Sequence, residues 1–271
     1  MIVQTAPDGA PRFVIPMSAH MALAEQFARA FGNDAFEQIA NDEIHYIIAN
    51  HDAGWRDLDA EFRIDPDTGY PYNLTETPFE FVEHTSTGSP DFNEAHHPLS
   101  GLLSSMHTWG LYNGRYGLSD IVLLDKVGDQ NKPRAEAMLA HEIERQERLK
   151  QDLSNDPGAA PYVADDRLMQ AYKLLQFCDT LALYFNRIHE GAREPSVFPS
   201  VPMSATEDVD VTVAPEGDGV YAMSPWPFAG DRLTASFDGR YMEPVADGRK
   251  TNPDAAEIDV KTQTVTLRKA P

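Results

Sequence analysis

The sequence predicts a mainly α-helical protein with a small C-terminal β appendage. Two observations predict it. Between Ser18 and His189 apolar side chains recur three and four residues apart, the period of one helix face. After the Pro-rich segment REPSVFPSVP the chain changes to short β-branched or alternating runs bounded by Gly, Asp and Pro. The expected division is a helical body over residues 1–195 and a small β-rich appendage over residues 204–271 packed on it.

Taken in order, residues 1–15 predict a short strand, a turn at APDGAP and a second strand at RFVI. Ser18 suits the N-cap of a first helix. A second helix is expected from about Ala35 to Asp52, stopped by Gly54, and DPDTGYP marks a turn in the loop that follows. A short helical piece spans Pro78 to His84. Pro98 suits the first turn of a helix running to about Leu111. A polar helix follows from Pro133 to Leu153, where HEIER reads as a solvated face, and another from Ala164 to His189. The β-like runs are VDVTVAP, GVYAMS, RLTASF and TVTLRK. The strand at the N-terminus is expected to pair with them, bringing the chain ends together.

Composition narrows the partners. With 43 acidic and 22 basic residues the formal charge is −21, which repels nucleic acid and anionic membranes. The expected partner is a small-molecule substrate, with a homo-oligomer also compatible. The single cysteine, Cys178, forms no internal disulfide and fits a reducing, cytoplasmic setting. No basic, apolar leader is recognisable at the N-terminus, and no run approaches the ~20 apolar residues of a membrane helix.

The informative residues are ionisable groups on apolar faces. In LLQFCDTLALYF, Asp179 shares a helix face with Leu168, Tyr172, Leu175, Ala182, Leu183 and Asn186. An isolated carboxylate there costs several kcal/mol unless it is paired, protonated or bound to a metal. No Lys or Arg lies one turn away on that face, so either an Arg from elsewhere or a cation must compensate it. His20 lies with Leu23, Ala24, Phe27 and Phe31. His51 follows Ile47 and Ile48 and precedes Asp52, and His107 follows Leu99 and Leu103 at helical spacing. Any one of these is ordinary as a core histidine; together they point to a shared centre. Imidazole and carboxylate are the ligand set of Fe, Mn, Ni, Co or Zn.

The order His20, His51-Asp52, His84, His107, Asp179 resembles the HD-domain superfamily, helical metal-dependent proteins that carry an adjacent His-Asp pair. The four-histidine form is similar to the superfamily's two-metal branch, which includes phosphodiesterases and mixed-valent di-iron oxygenases. HDAGW, SSMHTWGLY, LLQFCDTLALY and PWPF resemble an uncharacterised bacterial family, domain of unknown function 3891, over most of the chain. The resemblance implies an HD-like helical bundle and a divalent metal site, with two ions, held by His20, His51, Asp52, His84, His107 and Asp179. Asp52 would bridge or orient the ions as the catalytic carboxylate.

Three functions follow as expectations. First is a metal-dependent hydrolase acting on a small phosphate ester; second, a di-iron oxygenase; third, a non-catalytic metal-stabilised binding module. Trp55 stands where many superfamily members have a Lys, and Asp57, Asp59 and Glu61 crowd the same loop. That favours a small or singly charged substrate over a nucleotide. Arg56, Arg63, Arg115 and Lys173 are the candidate anion contacts. His84 also suits the surface, as do His96 and His97 before Pro98. His45 is a candidate second-layer group, and His189 a helix-end charge.

Overall fold

The computed structural model describes residues 1–245 and 248–271. It overturns the mainly α, all-helical expectation: 47% of the chain is helical and 20% is strand, and the strands form a seven-stranded mixed sheet curled into a half-barrel. The sheet is therefore a principal layer and not a small appendage. Its strands are β1 (Ile2–Val3), β2 (Arg12–Ile15), β3 (Ser196–Pro202), β4 (Asp208–Gly217), β5 (Val220–Ser224), β6 (Arg232–Met242) and β7 (Lys261–Lys269). The order is β1-β2-β6-β7-β5-β4-β3. Every pairing is antiparallel except β5 with β7.

Two facts explain the larger sheet. The N-terminal hairpin extends the C-terminal strands, with Phe13 opposite Tyr241 on β6. The Pro-rich connector is itself an edge strand. Pro199 and Pro202 sit in β3 at the sheet margin, where the missing N–H removes no ladder bond from a further neighbour.

Among the described residues there are seven α-helices, of which α1 and α7 lie against the sheet: α1 (Met17–Ala30), α2 (Asp42–Ile48), α3 (Arg56–Glu61), α4 (Phe79–His96), α5 (Pro98–Tyr112), α6 (Lys132–Ser154) and α7 (Asp165–Arg187). α2 is shorter than its apolar pattern predicts. Asn33 Oδ1 accepts from the N–H groups of Ala35 and Phe36, and Asn41 Oδ1 accepts from Glu43 and Ile44. These side-chain bonds compete with helix before Asp42 and cap it there. α4 is longer than predicted and carries Pro90 inside it. Proline cannot donate to the Ser86 carbonyl one turn back, and the Thr108 hydroxyl donates to that oxygen at 3.2 Å instead. α6 is not wholly a solvated face: Glu142 is fully buried and Arg145 nearly so.

α7 is buried along most of its length and lies between helices and sheet. One face meets α1 and α5; the other sets Phe177 and Phe185 against Phe198, Tyr221 and Phe228. One apolar cluster runs continuously from α1, α2, α5 and α7 into β3–β7. The half-barrel thus supports α7 from behind while its helical side faces the ionisable residues.

Candidate metal centre

Four of the singled-out groups converge with Asp52 at the junction of α1, the end of α2, α5 and α7. His20, His51, His107 and Asp179 are each 3% exposed or less, so no bulk water solvates them. The ligand atoms of His20, His51 and Asp52 all lie within 4.8 Å of one another. His20 Nε2 and His51 Nε2 are 3.3 Å apart. Asp179 Oδ1 lies 3.3 Å from His20 Nε2 and 3.7 Å from His51 Nε2, and Asp52 Oδ2 is 3.6 Å from His51 Nε2. The His107 ring stands edge-on to His51 with centroids 5.2 Å apart.

Each imidazole is gripped from behind through Nδ1. His51 Nδ1 donates to the Ile48 carbonyl at 2.8 Å, an acceptor left free by the end of α2. His20 Nδ1 donates to Asn186 Oδ1 at 2.9 Å, and His107 Nδ1 meets the Gln176 amide at 2.9 Å. Asn186 and Gln176 come from α7, as does Asp179, so one helix supplies a carboxylate and two orienting amides. The bonds from His20 and His51 put a ring proton on Nδ1 and leave Nε2 facing the centre, where it can carry a proton toward Asp179 or, without one, meet a cation. This back-side grip is the arrangement that orients histidine ligands of metals. Two lone pairs 3.3 Å apart repel unless a proton or a cation lies between them.

The local backbone brings these groups close. Asp52 opens the 3-10 turn Ala53–Trp55, and Gly54 is pressed against α4. A Cβ on Gly54 would lie 2.3 Å from the Thr85 carbonyl, so only glycine lets the His51-Asp52 turn seat there. Trp55 is buried and covers the core, far from acting as a surface anion contact.

The electrostatics match a charged centre. Burial by itself would raise the Asp179 carboxyl, but the hydrogen bond to His20 and the charges of Arg115, His51 and His107 hold it well below the usual range. Burial also opposes protonation of His20, and Asp179 and Asp52 outweigh it, so His20 is raised. Burial raises Asp52 and lowers His107 to about 3.

His84 does not join the group. It lies on the exposed side of α4, as the competing surface reading has it. His96 stacks on Tyr46 and pairs with Glu43, away from the centre. Arg115 is the residue whose role the pattern did not reveal. It enters from the turn after α5, its Nη2 3.3 Å from Asp179 Oδ2. The sequence marked it only as one of four candidate anion contacts, and the two glycines of NGRYG permit the turn that brings it in. Of the two kinds of compensation open at the outset, an Arg from elsewhere is present as Arg115, and the imidazoles stand where the other, a cation, could be held.

The donor set fits a divalent cation. Nitrogen and oxygen ligands on one ion, each at about 2.0–2.2 Å, stand up to about 4.4 Å apart, so a few tenths of an ångström of adjustment closes the group. The family described as "protein of unknown function (DUF3891)" matches residues 1–244, and the chain belongs to it. That span holds all five converging residues. No curated protein and no solved structure matches the chain.

Proposed function

We propose that this protein is an HD-type, divalent-metal-dependent hydrolase acting on a small phosphate ester. The observation that carries the proposal is the convergence of His20, His51, Asp52 and Asp179, with each histidine held through Nδ1 and aimed by Nε2. The order of these residues along the chain is that of the HD superfamily's ligands. The His107 ring flanks the same space. A divalent ion there would polarise a phosphoryl oxygen and lower the pKa of its water.

The chain's own residues do the rest. Asp179 and Asp52 supply the negative charge that draws the cation in, and Asn186, Ile48 and Gln176 fix the rings. Burial excludes bulk water and strengthens each of these interactions. The described group offers ligands for one ion. A second ion, as the four-histidine resemblance implies, needs further donors, and His84 stands on the far side of α4 from where they are required.

The test is elemental analysis and EPR on protein purified without chelator, followed by an ester screen with added Mn, Ni, Co, Zn or Fe. Bound metal, with turnover lost in His51→Ala, is the expected result. Turnover surviving His51→Ala would sink the proposal. Coupled irons together with oxygen uptake would replace it by the oxygenase.

A further inference from the structure

The turn after α5 has a backbone that L-residues avoid. Gly114, Arg115, Tyr116 and Gly117 have φ of 67°, 52°, 59° and 87° in succession. For the two residues with side chains this left-handed conformation costs roughly 1–2 kcal/mol each. The turn is held in place by Tyr116, whose hydroxyl donates to Gln146 at 3.0 Å and whose ring packs between Trp109 and Tyr172. Strain maintained by packing in this way marks a position with a task.

The task is legible in what the turn delivers. It sends the Arg115 side chain inward, with Nη2 on Asp179 and Nη1 buried without a hydrogen-bond partner. Tyr172, fully buried and two turns before Asp179 on α7, likewise has an unpartnered hydroxyl. That hydroxyl presses on Gly110, where a Cβ would lie 2.1 Å from it and 3.4 Å from Arg115 Cα. The two donors therefore come from adjoining elements beside one ligand of the centre. Buried donors are satisfied in nearly all native structures, and two unpaired ones together call for an acceptor. A guanidinium and a hydroxyl suit an oxyanion. The Arg115 side chain is 15% exposed, against 4% for Asp179, while its Nη1 and the Tyr172 hydroxyl are themselves buried.

We propose that Arg115 Nη1 and the Tyr172 hydroxyl bind a single oxyanion of the substrate, phosphoryl or carboxylate, next to the metal. Arg115 thereby has two roles, binding this anion through Nη1 and positioning Asp179 through Nη2. One guanidinium and one hydroxyl match a small, singly charged group and not a polyphosphate. The inference rests on the metal-centre reading and names the substrate class for it.

The experiment is calorimetric titration of Mn-loaded protein with inorganic phosphate and, separately, with acetate. Metal content is measured on every sample. Tyr172→Phe should keep its metal and its melting temperature and weaken the anion about tenfold, the weight of one hydrogen bond. Arg115→Gln should weaken it more, and Arg115→Lys should not restore it, because a single ammonium cannot serve both partners. Phosphate binding above acetate identifies a phosphoryl group; the reverse identifies a carboxylate. A metal-replete wild type that binds neither anion, or variants that bind as wild type, would overturn the anion site and leave the metal centre standing. Metal-free wild type that binds phosphate through Arg115 and Tyr172 would support the anion site and overturn the metal reading.

Discussion

Two clusters of buried charge lie in the helical layer, and they are built differently. Around Arg145 on α6, one guanidinium meets three carboxylates: Glu142 at 3.1 Å, Glu94 and Asp91. Arg148 adds a second cation on Glu94 at 2.8 Å. This cluster runs out to solvent, since the side chains of Asp91 and Arg148 are 65% and 52% exposed. The centre around Asp179 is sealed. It gathers three imidazoles and two carboxylates with Arg115 at its margin; around it Arg115 Nη1, the Tyr172 hydroxyl and Asn186 Nδ2 remain without a partner as donors, and the Gln176 amide oxygen without one as an acceptor. The first cluster sets each of its carboxylates against an arginine and ties α4 to α6, although both Glu142 oxygens and Arg145 Nε lack a hydrogen bond. The second gathers its imidazoles and carboxylates around one point, with both carboxylates close to histidine nitrogens. Burial of charge alone does not distinguish the two; what differs is that one is built of arginine–carboxylate pairs and the other of imidazoles facing carboxylates.

The sharpest way to break this comparison is Asp179→Ala. Removing one member of a sealed charge group leaves Arg115 and His20 without their anion. The expected loss is about 3–5 kcal/mol by denaturant titration, together with loss of bound metal. A variant that keeps both its metal and its stability would erase the distinction. Arg145→Met comes next, at about 3 kcal/mol, because Glu142 then stays buried with no cation. Its metal content should match wild type. If metal is lost there too, the two clusters are one coupled unit.

Metal removal sharpens the same contrast. Chelator should lower the stability of wild type by about 3 kcal/mol where the free ion had exceeded its dissociation constant a hundredfold. The shift should vanish in His51→Ala and persist in Arg145→Met; thermal melts with and without chelator read it directly.

The smallest effect is expected from Glu142→Gln. Burial raises this carboxyl above its ordinary value of 4.5. Its contribution to stability is therefore full below pH 4.5 and is lost as pH rises through the folded value. At pH 7 the amide should fall within about 1 kcal/mol of wild type, on the stabilising side. Asp179 has the opposite sign: its carboxyl is lowered, so its contribution is present above 3.8 and is lost as pH falls toward the folded value. Asp179→Asn should destabilise at pH 7. Equal responses of the two amide variants would show that neither environment is special.

The sequence by itself located α1, α5, α6 and α7 and the apolar faces that carry His20, His107 and Asp179. Helical spacing placed His20, His107 and Asp179 on apolar faces, and all three are buried. Pro98 and the alternating runs located α5 and β4–β7 to within a few residues. These signals are local: they lie within one or two turns or along one strand, where the side chain's own neighbours decide its conformation. The tertiary structure decided the rest. Whether the alternating runs make an appendage or a principal sheet depends on β2 joining β6 from the opposite end of the chain. That Asp179 meets Arg115 depends on a left-handed turn held by Tyr116 against Gln146 and Tyr172. In each case the deciding contact joins residues far apart in sequence. Burial and hydrogen-bond satisfaction across those distances override the local preference, and no spacing along the chain records them.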